Sequence, residues 1–273
     1  MRSLLVSVAS EVRKGLLFTW SERLQVLAET PVFALFILLL GPLLGTGGQA
    51  AAGRLSWTLQ SSRTSLLVLA FLPSTVFYFL AVKLFWRLLG EIQSGTLEQV
   101  WLSPLPFWLT TAVGRVVAAL AETLAVTGAV YGIVSLFVPL RYHWAASALL
   151  PASMLILAAV GYSLIIGGMT LAWKHVQPLQ EAFLLLAQIF AFAALPVLAV
   201  PRWFAGIGRA FPVTSAVASL YGVLIRHRPV TGLWGTGGLI FLLVTPAAYL
   251  AAGVIAFRLG ERAARSRGTL ARS

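Results

Sequence analysis

Long apolar runs separated by short polar stretches organise this chain, and the runs set the elements to expect. A helix needs about 20 residues to cross a bilayer, and the pattern predicts spans over 32–45, 65–82, 107–138, 145–172, 179–200 and 237–257. The first run is short, so its helix is expected to begin in the segment before it, with Pro31 opening the span itself as a first-turn residue. That preceding segment, residues 11–30, places Val12, Leu16, Trp20, Leu24 and Leu27 at helical spacing. Glu11, Lys14, Glu22, Gln25 and Glu29 fall opposite. Such a stripe predicts an amphipathic helix lying in the membrane interface. Lys83, Trp86 and Arg87 are expected to close the second span, and residues 201–230 to form a mixed extracytoplasmic segment. Residues 258–273 read as a basic, flexible tail. The expected fold is an all-α integral membrane protein, with one transmembrane domain over 1–273.

Composition sharpens this reading. Of 273 residues, 59% are hydrophobic and 10% charged, against about 25% charged in an average soluble domain. Too few charges remain to cover a soluble surface. The chain has no Cys, which excludes disulfide frameworks, thiolate metal sites and cysteine nucleophiles. Asp and Asn are absent as well. The net charge of +12 lies between apolar runs and in the last 16 residues rather than along one soluble face, so no nucleic-acid partner is expected. After Arg2 the run from Leu4 to Ala9 is too short for a signal peptide.

Charge placement predicts orientation. Thirteen Lys and Arg fall on the side of both termini, the connection after span 2 and the connection after span 4. Seven, namely Arg54, Arg63, Arg141, Arg202, Arg209, Arg226 and Arg228, fall on the other. The bias toward the cytoplasm of Lys and Arg then puts both termini inside. Of eight glutamates only Glu122 lies within a span; it is expected to face the bundle interior, a cavity or a partner. Arg115, seven residues earlier on the same face, is expected to snorkel to the inner interface. Gly128-x-x-x-Gly132 is a candidate for close helix packing.

No enzyme constellation is present. The phosphate loop G-x-x-x-x-G-K-S/T, the metalloprotease H-E-x-x-H and the hydrolase G-x-S-x-G are all missing. His143, His175 and His227 are scattered over connections and form no expected ligand cluster. The sequence therefore offers no catalytic residue, no metal ligand set and no cofactor site. Its most concentrated polar motif is Glu91-Ile-Gln-Ser-Gly95-Thr96-Leu97-Glu98-Gln-Val-Trp101-Leu-Ser103-Pro104. Gly95 makes a break, Thr96 can cap a short helix carrying Leu97 and Trp101, and Pro104 can end it.

The pattern E-x-x-x-G-T-x-E followed by Leu-Ser-Pro-Leu resembles the signature of type-2 ABC exporter permeases, with Glu91, Gly95, Thr96, Glu98, Ser103 and Pro104 as the matching positions. A second stretch is similar to that family's proline-punctuated segment before the last span: Leu195-Pro196, then Pro201, Trp203 and Phe204, then Phe211-Pro212 and Thr214. Phe211 stands where the family often has Asn, and the family's small Ser-Gly pair is missing. The resemblance implies six spans, a cytoplasmic coupling helix made by Glu91, Gly95, Thr96, Leu97, Glu98 and Trp101, and short outer-leaflet helices with Pro201, Trp203, Phe211 and Pro212 as gate candidates. Trp203, Ile207 and Phe211 would share one helical face. It also implies partners: a separate ABC ATPase subunit holding ATP and Mg, and a second permease copy or paralogue in a prokaryotic inner membrane. The cargo would be a drug-like, lipid or glycan substrate moved outward. A haem-export permease shares the Leu-Ser-Pro-Leu run and stays open. So does a self-contained channel or secondary transporter, although matching broken helices in the two halves are not visible.

Overall fold

The computed structural model describes residues 23–45, 57–93, 107–173, 176–195, 201–232 and 238–267, together with isolated helical positions before Arg23. Eight α-helices carry these residues. They are α1 (Arg23–Gly45), α2 (Trp57–Gln93), α3 (Phe107–Phe137), α4 (Leu149–Ala172), α5 (Gln177–Ala193), α6 (Arg202–Gly208), α7 (Pro212–Leu224) and α8 (Gly238–Arg267). Among the described residues, four apolar stretches are long enough to cross a bilayer: Ser65–Glu91, Arg115–Phe137, Ala146–Ala172 and Gly238–Ser266. The chain is an all-helical, multi-pass membrane protein.

Several expected boundaries move. The first helix, described from Arg23, has Pro31 as one of its interior residues rather than in its first turn. Before it, Val6, Leu17 and Trp20 are helical and well exposed, as is Leu24 within α1, so an apolar stripe faces outward. The helix predicted over 65–82 runs on to Gln93, because its later charges are compensated inside the protein. The fifth run yields only 17 helical residues, Gln177–Ala193, about 25 Å of helix and short of a hydrocarbon core. The tail is helical to Arg267, with Arg265 donating to Glu261 one turn earlier.

Proline interrupts α2 at Pro73 without ending it. The Ser74 and Thr75 hydroxyls both donate to the Phe71 carbonyl at 2.8 Å, supplying polar partners in the turn that Pro73 disturbs. A chain of rings then crosses the bundle. Phe77 of α2 packs on Tyr162 of α4 at 5.3 Å, and Tyr162 stacks on Phe183 of α5 at 4.4 Å. Phe183 meets Phe211 at 5.1 Å, and Phe211 stacks on Phe190 at 4.6 Å.

Helices α4 and α8 run in the same direction and touch backbone to backbone. A Cβ on Gly161 would lie 2.5 Å from the Leu250 nitrogen, and one on Gly253 would collide with the Gly161 carbonyl oxygen. One heptad on, Gly168 and Gly260 repeat the arrangement. Gly128 and Gly132 do not behave this way: a Cβ on either meets nothing within 4 Å, so that motif makes no close helix contact among the described residues.

One end of the bundle gathers the α3–α4 connection, the start of the α2 span and the end of α7. The Tyr142 hydroxyl donates to the Ser65 carbonyl at 2.6 Å, the Arg141 N–H donates to Ser65 Oγ at 3.0 Å, and the His143 N–H donates to the Leu224 carbonyl at 2.9 Å. Burial, then the neighbouring Tyr131, push the Tyr142 phenol above its usual range, so it remains a donor. Residues 138–148 and 225–232 thus share the end opposite the connection between α2 and α3.

Candidate functional site

The polar centre of the bundle lies between α2 and α3. Lys83, Arg87 and Glu91 recur every four residues and so share one face of α2. Arg115 and Glu122, seven apart, share one face of α3. The helices run antiparallel, which brings these faces together in register. Lys83 Nζ lies 2.8 Å from Glu122 Oε1, and Arg87 donates to Glu122 Oε2 at 2.8 Å. One level further along, Arg115 pairs with Glu91. Lys83 is 6% exposed, Arg115 4% and Glu122 3%, so these charges are out of water, and each carboxylate is held by cations.

This corrects three expectations at once. Lys83 and Arg87 do not close the second span at a water boundary; they are buried within it. Arg115 does not snorkel, because Glu91 reaches it across the interface. Glu122 does face the interior, but as one of five clustered charges rather than as a lone carboxylate. The sequence signal that could have revealed the cluster is the i, i+4, i+8 recurrence of Lys83, Arg87 and Glu91 opposite Arg115 and Glu122. Nothing local distinguishes it from a charged helix end.

No group of three or more metal-ligating side chains occurs among the described residues. The pairs do fix the rotation and register of α2 on α3, since truncating one member removes a compensating charge from a buried site. The other half of the same interface is apolar, with Phe71, Phe79, Val126, Val130 and Val134 in one cluster.

The expected coupling residues divide. Glu91 occupies the last turn of α2, bound to Arg115. Gly95, Thr96, Leu97, Glu98 and Trp101, with Ser103 and Pro104, lie outside the described residues, in the connection between Gln93 and Phe107. The proline-punctuated stretch is described from Pro201 onward, Leu195 preceding it. Pro201 is the N-cap residue of α6 and Pro212 opens α7, both positions that suit a fixed φ and a missing N–H. Trp203 and Ile207 are exposed on α6, 67% and 52%. Phe211 does not share their face: it is buried between Phe183 and Phe190, because the α6–α7 turn carries it into the bundle. From there α7 returns toward the His143 end, with Val213, Ala216, Val217 and Leu220 buried. Residues 201–224 therefore make a pair of short helices, α7 packed into the bundle and α6 largely exposed.

The histidines are less scattered than the spacing suggests. His143 and His227 approach edge to face at 4.8 Å, and His227 has a positive φ of 55°; His175 lies outside the described residues. No family model, no curated protein and no solved structure matches this chain.

Proposed function

We propose that this chain is the membrane-spanning permease subunit of an ATP-driven exporter of the type-2 ABC class, working with a separate ATPase subunit and a second permease copy or paralogue. Both termini would face the cytoplasm of a prokaryotic cell. ATP and Mg would belong to the partner. The observation that carries this reading is the Glu91–Pro104 motif in the connection between two paired helices. Movement imposed there by an ATPase would act directly on the end of α2, where Glu91 is tied to Arg115, and through that pair on α3. The short α6–α7 pair at the other end supports it as well.

Glu98 would meet basic or hydrogen-bonding groups of the ATPase, while Leu97 and Trp101 would fill an apolar groove. Losing one desolvated partner at such a contact costs roughly 2–5 kcal/mol of affinity. Glu98→Ala and Trp101→Ala are therefore expected to express and insert normally, yet to lose ATPase co-purification or transport. Full retention of both properties in both variants would remove the assignment. The rival reading, a self-contained secondary transporter, draws support from five charges within two spans, where such proteins carry ion pathways. ATP-independent transport by the purified chain in vesicles would favour it.

A further inference from the structure

A cavity of about 340 Å³ lies where α5, α6, α7 and α8 converge, at the end of the bundle where the α8 span begins. Its volume falls at the small end of ligand sites. Its walls are of two kinds. Ala193, Ala194, Ala205, Gly208, Ala218 and Gly238 give a smooth, narrow apolar surface. Arg209, Thr214, Ser215 and Ser219 supply the polar groups.

The Arg209 guanidinium lies over the Phe241 ring, 5.5 Å from its centroid, which orients it while leaving its edge free to donate. No Asp or Glu occurs anywhere between residues 182 and 260. Among the described carboxylates, Glu91 and Glu122 are engaged between α2 and α3. Glu181 stands about 18 Å along α5 from Ala193, and Glu261 roughly 35 Å along α8 from Gly238, at 1.5 Å per helical residue. The chain therefore brings a cation to the end of a membrane span with no acid nearby among the described residues. Thr214 adds a second observation: its Oγ1 is fully enclosed and has no hydrogen-bond partner among the described residues. Rotation about its χ1 would turn this unpartnered hydroxyl, costly where it lies, toward a ligand oxygen in the cavity.

We propose that this cavity binds an anionic amphiphile, a phospholipid of the surrounding leaflet whose phosphate is held by Arg209 and the Thr214 and Ser219 hydroxyls, Ser215 donating to the Pro212 carbonyl instead, while its glycerol and first methylenes lie along the alanine and glycine wall. The exposed Trp203 of α6 places this level at the interface, where amphipathic rings concentrate. A zwitterionic lipid offers the same chain with no net negative charge, so the site selects on the headgroup. The proposal stands on the cavity alone and holds whether or not the chain serves an ATPase.

Delipidated protein in a neutral detergent, titrated with phosphatidylglycerol or phosphatidylcholine and read by native mass spectrometry, tests it. Wild type should bind one phosphatidylglycerol saturably and prefer it over phosphatidylcholine by about tenfold, the scale of a hydrogen bond to a charged group. Arg209→Gln should erase the preference, Arg209→Lys should keep most of it, and Ala218→Trp, which fills the rim, should abolish binding of both lipids. Arg226→Gln is the matched control, since Arg226 also stacks on a ring, Tyr221 at 5.3 Å, outside the cavity. Equal binding of the two lipids, or equal loss in Arg226→Gln, overturns the proposal. Displacement of the lipid by equimolar inorganic phosphate would show that charge alone is read, and would overturn the amphiphile. A change of oligomeric state in Ala218→Trp with lipid binding intact would give the cavity to a second copy instead.

Discussion

Two helix pairs in this protein solve the same problem by different means. In α2–α3, half of the interface is held by buried ion pairs, with Glu122 between Lys83 and Arg87 and Arg115 on Glu91. In α4–α8 the helices approach until Gly161 and Gly168 press on the backbone around Gly253 and Gly260. In lipid there is little hydrophobic drive between helices, so association rests on packing and polar contacts. The glycine pair gains contact area along a whole face and has no alternative partner to switch to. The charged pair depends on a few groups, each of which can exchange partners. A pair of the first kind suits a fixed frame, and one of the second kind suits a joint that moves.

The largest expected effect comes from stranding charge. Glu122→Ala leaves Lys83 and Arg87 buried without their shared carboxylate and should destabilise by about 3–5 kcal/mol, seen as a lowered unfolding midpoint in detergent. Replacing all three residues by apolar ones of similar size should recover most of that stability. If the triple variant is as unstable as Glu122→Ala, the loss is one of packing rather than of stranded charge, and the contrast with α4–α8 fails.

Next in size is Gly260→Ala, which drives a methyl into the Gly168 carbonyl and should cost about 1–3 kcal/mol, with Gly253→Ala similar. Cysteine cross-linking between α4 and α8 in detergent would report the separation. Unchanged stability in both variants would mean that the glycine contact does not hold the pair.

Gly128→Ala should do least. A Cβ there meets nothing, and an exposed helical Gly→Ala exchange should change stability by less than about 1 kcal/mol, in the stabilising direction. A loss comparable to that of Gly260→Ala would place Gly128 against a partner, a second copy of the chain being the first to test by cross-linking.

The sequence made much of the architecture readable. Run lengths place α3 and α4 within a few residues, since a bilayer demands a fixed apolar length. Fine boundaries were less legible. Span 2 reads as ending at Lys83 only because charge ordinarily marks a water boundary, and compensation from α3 is invisible along one helix. The same holds for the tail, whose helicity beyond Arg258 continues the face that packs on α4.

The candidate site shows the same division. The Glu91–Pro104 motif and the proline-punctuated stretch are local patterns, legible as strings, and Pro201 and Pro212 do start helices. Whether Phe211 faces lipid or core could not be read from spacing, because the turn between α6 and α7 resets the helical phase. Gly128-x-x-x-Gly132 and the glycine heptads of α4 and α8 look equally suited to close packing; among the described residues, the second set alone finds a backbone opposite. The sequence by itself determined that the chain is a bundle of apolar helices, since apolar length is a one-dimensional property. Tertiary structure alone decided which charges meet, which glycines touch and where a cation is left facing a cavity, because each depends on what a second helix brings to the same place.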